Sequence, residues 1–348
     1  MSLKPYSKPF RDQEYMYRKL LKEGLIIDNK QAIINSITMF SYYRFKAYFI
    51  PFRLSKRNFV HATEFSFIEK KIVPYSIPKN LFKKNINSNQ IISLYKFDEA
   101  LREMLFGIIQ KIEVLLRSTF DRHLNKHTAN NFWYLDTKLF KENKNIHGTV
   151  NTVRSYFIES KEEFSKFFRK NYFNPYCPFY RDLPPGWVAI ELMTFGNLKS
   201  FMENISEETR QEHKLDRYAK SLNCPNYQTL ENWISVILDV RNCCCHHSRV
   251  FNRNFRAPTN IASKVSIPWV KYINEKGISV DQHNRIYSCI IIMNLLLKKT
   301  TYGNIVSDKL KQLFIEHPIG LKFLPAMGIP ETWFDDQIFY EAKEGNLN

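Results

Sequence analysis

Between Asn87 and Lys126 the sequence holds one helical pattern from end to end. Leu101, Leu105, Ile108, Ile112 and Leu115 fall at steps of four, three, four and three, with Leu116 beside them. Apolar residues at that period share one face of an α-helix, and a stripe this long has no strand reading. Shorter versions recur. Residues 10–24 form an amphipathic pattern ended by Gly24, a favoured residue just past a helix end. Asp28 stands where it would cap a helix through Ala32, Ile33, Ile34, Ile37 and Phe40, and that helix is expected to run on into 41–53. Helical patterns return at 228–250 and 269–301. With only 10 glycines in 348 residues, the chain lacks the composition of a barrel or a loop-rich design.

The expectation is therefore an all-α (mainly α) fold. Its parts are an N-terminal helical region over 1–86, a main helical domain over 87–301 and a tail over 302–348 that packs on the core. Residues 54–88, punctuated by Pro74 and Pro78, suggest an irregular linker with a short strand pair near 59–68. After Pro184-Pro185 a helix begins at Gly186, and Gly196 is expected to break it.

The charge balance narrows the partner. A net charge of +17 attracts polyanions, and nucleic acid is the commonest one. Six cysteines, three of them consecutive at 243–245, make no disulfide framework and fit a reducing cytoplasm. The N-terminus shows no signal-peptide pattern. The most apolar window, Cys289 to Leu297, is interrupted by Asn294 and falls short of the roughly 20 residues needed to cross a bilayer, so it implies a core helix and no membrane partner. Two stretches interleave aromatics with cations. In one, Tyr43 and Arg44 sit in Ser41-Tyr-Tyr-Arg-Phe; in the other, Lys166, Arg169 and Lys170 sit among the rings of 164–181. Such a composition either stacks bases while holding phosphates or packs a core edge.

Chemistry concentrates at 239–253, where three arginines, two histidines, two asparagines and an aspartate follow an apolar helical run. If the helix continues to 250, Trp233, Ile237, Val240, Cys244 and His247 form one buried stripe, while Asn242, His246 and Arg249 share another face. Histidine takes or gives a proton near neutral pH, and arginine clamps phosphate oxygens. Beside an RNA phosphate, where the 2′-hydroxyl is the nucleophile, these two functions suffice for cleavage. Arg241 and His246 are about 140° apart around an ideal helix, which suggests a composite site. The run Cys243 to His247 lacks paired Cys-x-x-Cys spacing, so neither a metal nor a cofactor is expected, and the three thiols are read as small core residues. On the long helix, Glu113, Arg117 and Asp121 stand four apart, either as an exposed salt-bridge ladder or as a buried polar row.

The run Arg241-Asn-x-x-x-His246-His-Ser-Arg249-Val-Phe-Asn252-Arg resembles the signature of the abortive-infection Abi family (AbiD/AbiF-like, the Abi_2 group), itself similar to the HEPN superfamily. Ser41-Tyr-Tyr-Arg-Phe, Phe97-Asp-Glu-Ala-Leu-Arg102, Ile112-Glu-Val-Leu-Leu-Arg117, Pro184-Pro-Gly-Trp-Val-Ala-Ile-Glu191, Thr194-Phe-Gly-Asn-Leu198 and Met327-Gly-Ile-Pro-Glu-Thr-Trp333 agree with it in order. The resemblance implies a HEPN-like helical bundle with an N-terminal helical extension and irregular insertions, handling RNA in bacterial antiphage defence. It implies a metal-independent endoribonuclease, or else an RNA-binding protein that holds a dedicated small non-coding RNA. By the same resemblance Arg241 and His246 are catalytic, with Asn242 in support, and the site is completed in a homodimer. Arg117-x5-His123, with Glu113, satisfies the spacing of a second motif. Arg249, Arg253, Tyr43, Arg44, Lys166, Arg169 and Lys170 are the expected RNA contacts.

Overall fold

Most of the described residues are helical in the computed structural model, as expected of a glycine-poor sequence with long apolar stripes. The structure describes residues 5, 9–61, 72–142, 146–176, 182–273 and 278–340. The chain forms two compact units. One comprises Met1–Leu101, Lys271–Asp281 and Leu313–Phe323; the other comprises Arg102–Val270, Gln282–Gln312 and Leu324–Asn348.

In the first unit, α1 (Gln13–Lys22) starts where the Asp12 side chain accepts the Tyr15 amide, and Gly24 follows its end at φ +87°. Helix α2 (Lys30–Phe40) is capped by Asn29, which accepts the Ala32 amide at 3.0 Å, and not by Asp28. A capping oxygen must reach an amide two or three residues on, and Asp28 stands one residue too early. It accepts instead from the Asn87 side chain. Nor does α2 run on. Ser41 at φ 62° ends it, and the short α3 (Tyr42–Phe45) begins in a new direction. Phe45, Tyr48, Phe49 and Phe52 are buried there, with the Tyr48 hydroxyl donating to buried Asp98 at 2.6 Å.

Two strands, β1 (Arg53–His61) and β2 (Ile72–Phe82), form an antiparallel hairpin. The pair expected near 59–68 thus begins earlier and returns later, and residues 62–68 lie outside the described residues. Pro74 and Pro78 are tolerated in β2 because both strands of a two-stranded sheet are edges. A second hairpin, β3 (Lys271–Ile273) and β4 (Ser279–Asp281), occupies what the sequence suggested was helix. Tyr272, Ile273, Ile278 and Val280 favour strand there.

The long stripe is one helix, α4 (Ser88–Thr128), which belongs to the second unit from Arg102 onward. There Leu105, Ile108, Ile112, Leu116, Phe120 and Leu124 are all fully buried. The other helices of this unit are α5 (His147–Glu159), α6 (Glu163–Asn171), α7 (Gly186–Leu192), α8 (Phe195–Asn204), α9 (Glu207–Glu212), α10 (Leu215–Ser221), α11 (Tyr227–Cys245), α12 (Ile286–Leu297), most of α13 (Ile305–Glu316), and α14 (Leu324–Met327). The break between α7 and α8 falls at Met193-Thr194 and not at Gly196. The Thr194 hydroxyl and the Asn197 side chain each accept the other's amide at 3.1 Å, a capping box that starts a new helix with Gly196 in its first turn. Every residue of α12 is buried, and its one polar interruption, Asn294, donates to the Ile338 carbonyl at 2.8 Å. Among the described residues no helix is long and apolar enough to cross a membrane. Helix α11 packs on α8, α10 and α12.

Candidate functional site at the end of α11

Helix α11 begins at Asn226, whose side chain accepts the Thr229 amide at 2.8 Å. Trp233, Ile237, Val240 and Cys244 form the buried stripe foreseen from their spacing. The helix stops at Cys245, five residues sooner than the periodicity suggested. The Ser248 amide donates to the Cys243 carbonyl at 2.8 Å and the His247 amide to the Cys244 carbonyl at 3.0 Å, closing the last turn. This is a Schellman cap, and its left-handed residue is His247 at φ 52°, where glycine is usual. Two expectations fail as a result. His247 leaves the buried stripe and is exposed, and Arg249 is not on the helix at all.

Beyond the cap, Val250, Phe251 and Phe255 are buried and pin the loop down, while Arg253, Asn254 and Arg256 are exposed. The loop is tied further by the Phe255 amide on the Asn284 carbonyl at 2.8 Å and by Arg285 on the Asn252 side chain at 3.1 Å. Between helix and loop lies a cavity of about 340 Å³. Its helical wall is Asp239, Asn242, Cys243 and His246, residues three and four apart on one face. Its loop wall includes Ser248, Arg253, Asn254 and Arg256. The Arg256 guanidinium stands 3.8 Å from the Asp239 carboxylate. The cavity therefore gathers one exposed imidazole, two guanidinium groups and two side-chain amides. That set could donate hydrogen bonds to an anion's oxygens and move a proton beside them.

The other sequence candidates are distributed differently. Arg241 does not line this cavity; its Nε is buried and has no hydrogen-bond partner among the described residues. Arg249 turns back on its own loop, donating to the Asn252 carbonyl at 3.3 Å over the Phe251 ring. Glu113 and Arg117 pair at 2.5 Å, and Arg117 also donates to the Met193 carbonyl at 2.6 Å. They are thus a half-buried pair bound to α7's end and not an exposed ladder, and Asp121 leaves the row to accept from Trp133 at 2.9 Å. His123 faces elsewhere, with its Nε2 on the His213 carbonyl at 2.8 Å, so Arg117 and His123 do not meet.

Arg169 spends its donors on the carbonyls of Phe157 and Ser160, at the end of α5. Lys166 pairs with Glu163 at 2.7 Å, and Lys170 is exposed. Phe167, Tyr172, Phe173 and Tyr176 stay exposed beside them, while 177–181 lie outside the described residues. In the first unit Tyr43 is 87% exposed and lines a cavity with Lys46, Ile50 and Arg53, and Arg44 is exposed without an ion pair among the described residues.

Sequence reasoning missed that Asp239 and Arg256 line one cavity with His246. The signal was there: Phe251 and Phe255, four apart, anchor a loop whose intervening and following arginines must face outward. Among the described residues no three of the His, Cys, Asp and Glu side chains are grouped to hold a metal ion, and Cys243 and Cys244 are buried and in no disulfide.

Compared with known proteins, residues 35–252 match the family model of Abi-like proteins (Abi_2), which covers more than half of the chain and ends at Asn252 within this loop. No curated protein and no solved structure matches.

Proposed function

The chain belongs to the Abi-like protein family, and from that premise we propose that it acts on RNA in bacterial antiphage defence, as a metal-independent endoribonuclease of HEPN type. The observation that supports this reading most is the meeting of His246, Asn242 and Arg253 in one open cavity. In the proposed reaction the substrate's 2′-oxygen attacks the adjacent phosphorus and the bond to the 5′-oxygen breaks. The products are a 2′,3′-cyclic phosphate and a 5′-hydroxyl. His246 moves the proton, Arg253 and Arg256 hold the phosphate oxygens, and Asn242 orients them. Arg241 contributes through a homodimer, in which a second copy brings it to the scissile phosphate. The test is His246→Ala in an RNA-cleavage assay with chelator present. Loss of cyclic-phosphate product is the expected result, and undiminished cleavage would sink the catalytic assignment.

One observation favours a second reading. Arg241 lies outside the cavity that holds His246, so within one chain the two groups that the family resemblance pairs do not share that cavity. A protein that holds a dedicated small non-coding RNA without cutting it needs no such pairing. That reading predicts tight, salt-sensitive RNA binding that survives Arg241→Ala and His246→Ala together, with RNA co-purifying from cells.

A further inference from the structure

We propose that the end of α4 and the α9–α10 junction form a second RNA site, a phosphate-backbone contact built on Lys126, Lys214 and Arg217. It shares no residue with the cavity at His246, and it rests on the RNA reading above.

The patch is assembled by packing. The His123 ring lies 4.4 Å from that of His127 one turn on, and its Nε2 donates to the His213 carbonyl at 2.8 Å. That bond ties the last turns of α4 to the residue just before Lys214. Lys214 takes up a left-handed conformation at φ 55° and opens α10, with its side chain exposed. Lys126 approaches from α4, and His213, Lys214 and Arg217 approach from the junction. Lys214, Lys126 and Arg217 all bear on His127, whose pKa is lowered first by partial burial and then by these cations.

Two further features separate this patch from an ordinary solvated face. Lys126, Lys214 and Arg217, with Arg122 and Lys220 nearby in sequence, are exposed and form no ion pair among the described residues. Carboxylates in the adjoining cleft of about 390 Å³ are already engaged. Asp216 accepts the Tyr227 amide at 2.8 Å, and Glu207 pairs with Arg210 at 3.5 Å. The region is also bare of anchors for a protein partner or a bilayer: among the described residues no large apolar side chain is exposed over 115–128 or 207–271. A cationic surface without aromatic or aliphatic anchors suits a polyanion, since protein hot spots need buried rings and membrane insertion needs apolar side chains.

A bound phosphate would reverse the cations' effect on His127 and favour its protonated form, so binding takes up protons. Affinity is therefore expected to rise on acidification, down to the lowered pKa of free His127, which lies below 6.5.

The experiment uses the full chain and a labelled single-stranded RNA made non-cleavable by 2′-O-methylation, with affinity followed by anisotropy across salt concentrations. The triple variant K126Q/K214Q/R217Q is expected to bind at least about tenfold more weakly. Its log–log salt slope should be shallower by about two, roughly 0.7 per lost contact on a single strand. Removing equal charge from α13 and the turn after it (K309Q/K311Q/K322Q) should have a much smaller effect. If the triple variant melts below the wild type, the single changes Lys126→Gln and Arg217→Gln must each flatten the slope by about 0.7. Wild-type affinity in the patch variants, with RNA still bound, overturns the patch and leaves the RNA reading standing. Patch-dependent binding to phosphatidylglycerol vesicles with no RNA binding overturns both.

Discussion

The Ser248 amide donates to the Cys243 carbonyl at 2.8 Å, closing α11 at Cys245 and leaving His246 as its C-cap at φ −89° and ψ 9°. Because that closure requires a left-handed residue, His247 is held at φ 52°. A side chain there costs about 1 kcal/mol that glycine avoids. His247→Gly is expected to raise stability by up to about 1 kcal/mol, the gain being trimmed by glycine's greater freedom when unfolded. His247→Val should lower it by roughly 1 kcal/mol or more, since a β-branched residue tolerates this region least. Urea midpoints of the two variants and the wild type check the order. Since His247 does not line the cavity, RNA activity should follow His246 and not its neighbour.

Arg241 predicts the opposite relation between stability and activity. Its Nε is buried without a partner among the described residues, and an unmade hydrogen bond of that kind costs about 1–3 kcal/mol. Arg241→Met keeps the apolar stem and removes the orphaned donor. It should leave the melting temperature unchanged or raise it, while RNA cleavage falls by at least about tenfold if the guanidinium works through a homodimer. A variant that is less stable and equally active would assign Arg241 to the fold.

How much of this was legible in the sequence depended on the range of the signal. The α4 stripe and the buried face of α11 were, because apolar periodicity is a local property that packing merely uses. Positions set by one backbone torsion were not. The periodicity of 228–250 carries no mark of the left-handed turn at His247, since histidine is not the residue that usually announces it. That single miss moved His247 out of the core and Arg249 off the helix. Asp28 and Asn29 are equally good capping residues by type, and only the reach to Ala32 distinguishes them. Contacts distant in sequence were hidden altogether: nothing near Arg117 reveals the Met193 carbonyl, and nothing near Asp239 reveals Arg256.

Gly186, in the Pro-Pro-Gly-Trp run, owes its identity to space and not to torsion. A Cβ there would stand 2.5 Å from the Trp133 Nε1 and 2.6 Å from the Asp121 Oδ1. Those two atoms are the buried hydrogen bond that fastens Trp133 to α4 at 2.9 Å. Gly186→Ala must therefore push that bond apart, with an expected loss of about 1–3 kcal/mol. Gly148 is the control: a methyl there would meet nothing within 4 Å, and Gly148→Ala should cost nothing measurable. Thermal melts of the pair decide the matter, and equal melting temperatures would remove the steric argument.

Two half-buried groups give the folded chain opposing responses to pH. Burial pushes the Glu231 carboxyl up from 4.5 to about 7, outweighing the Arg210 guanidinium at 2.7 Å. Between those two values the folded chain keeps a proton that the unfolded chain has released. The contribution is complete below pH 4.5 and is lost as pH rises through 7, with a slope of at most about 1.4 kcal/mol per unit. His123 works the other way. Burial lowers its pKa from 6.5, so its contribution is complete above that value and is lost as pH falls through the lowered one. Glu231→Gln should flatten the decline in stability on the way up to neutrality, and His123→Gln should flatten the decline on acidification. Urea midpoints taken across this range for both variants make the test. A Glu231→Gln profile parallel to that of the wild type would show that Arg210 keeps the carboxylate ionised and that burial does not win.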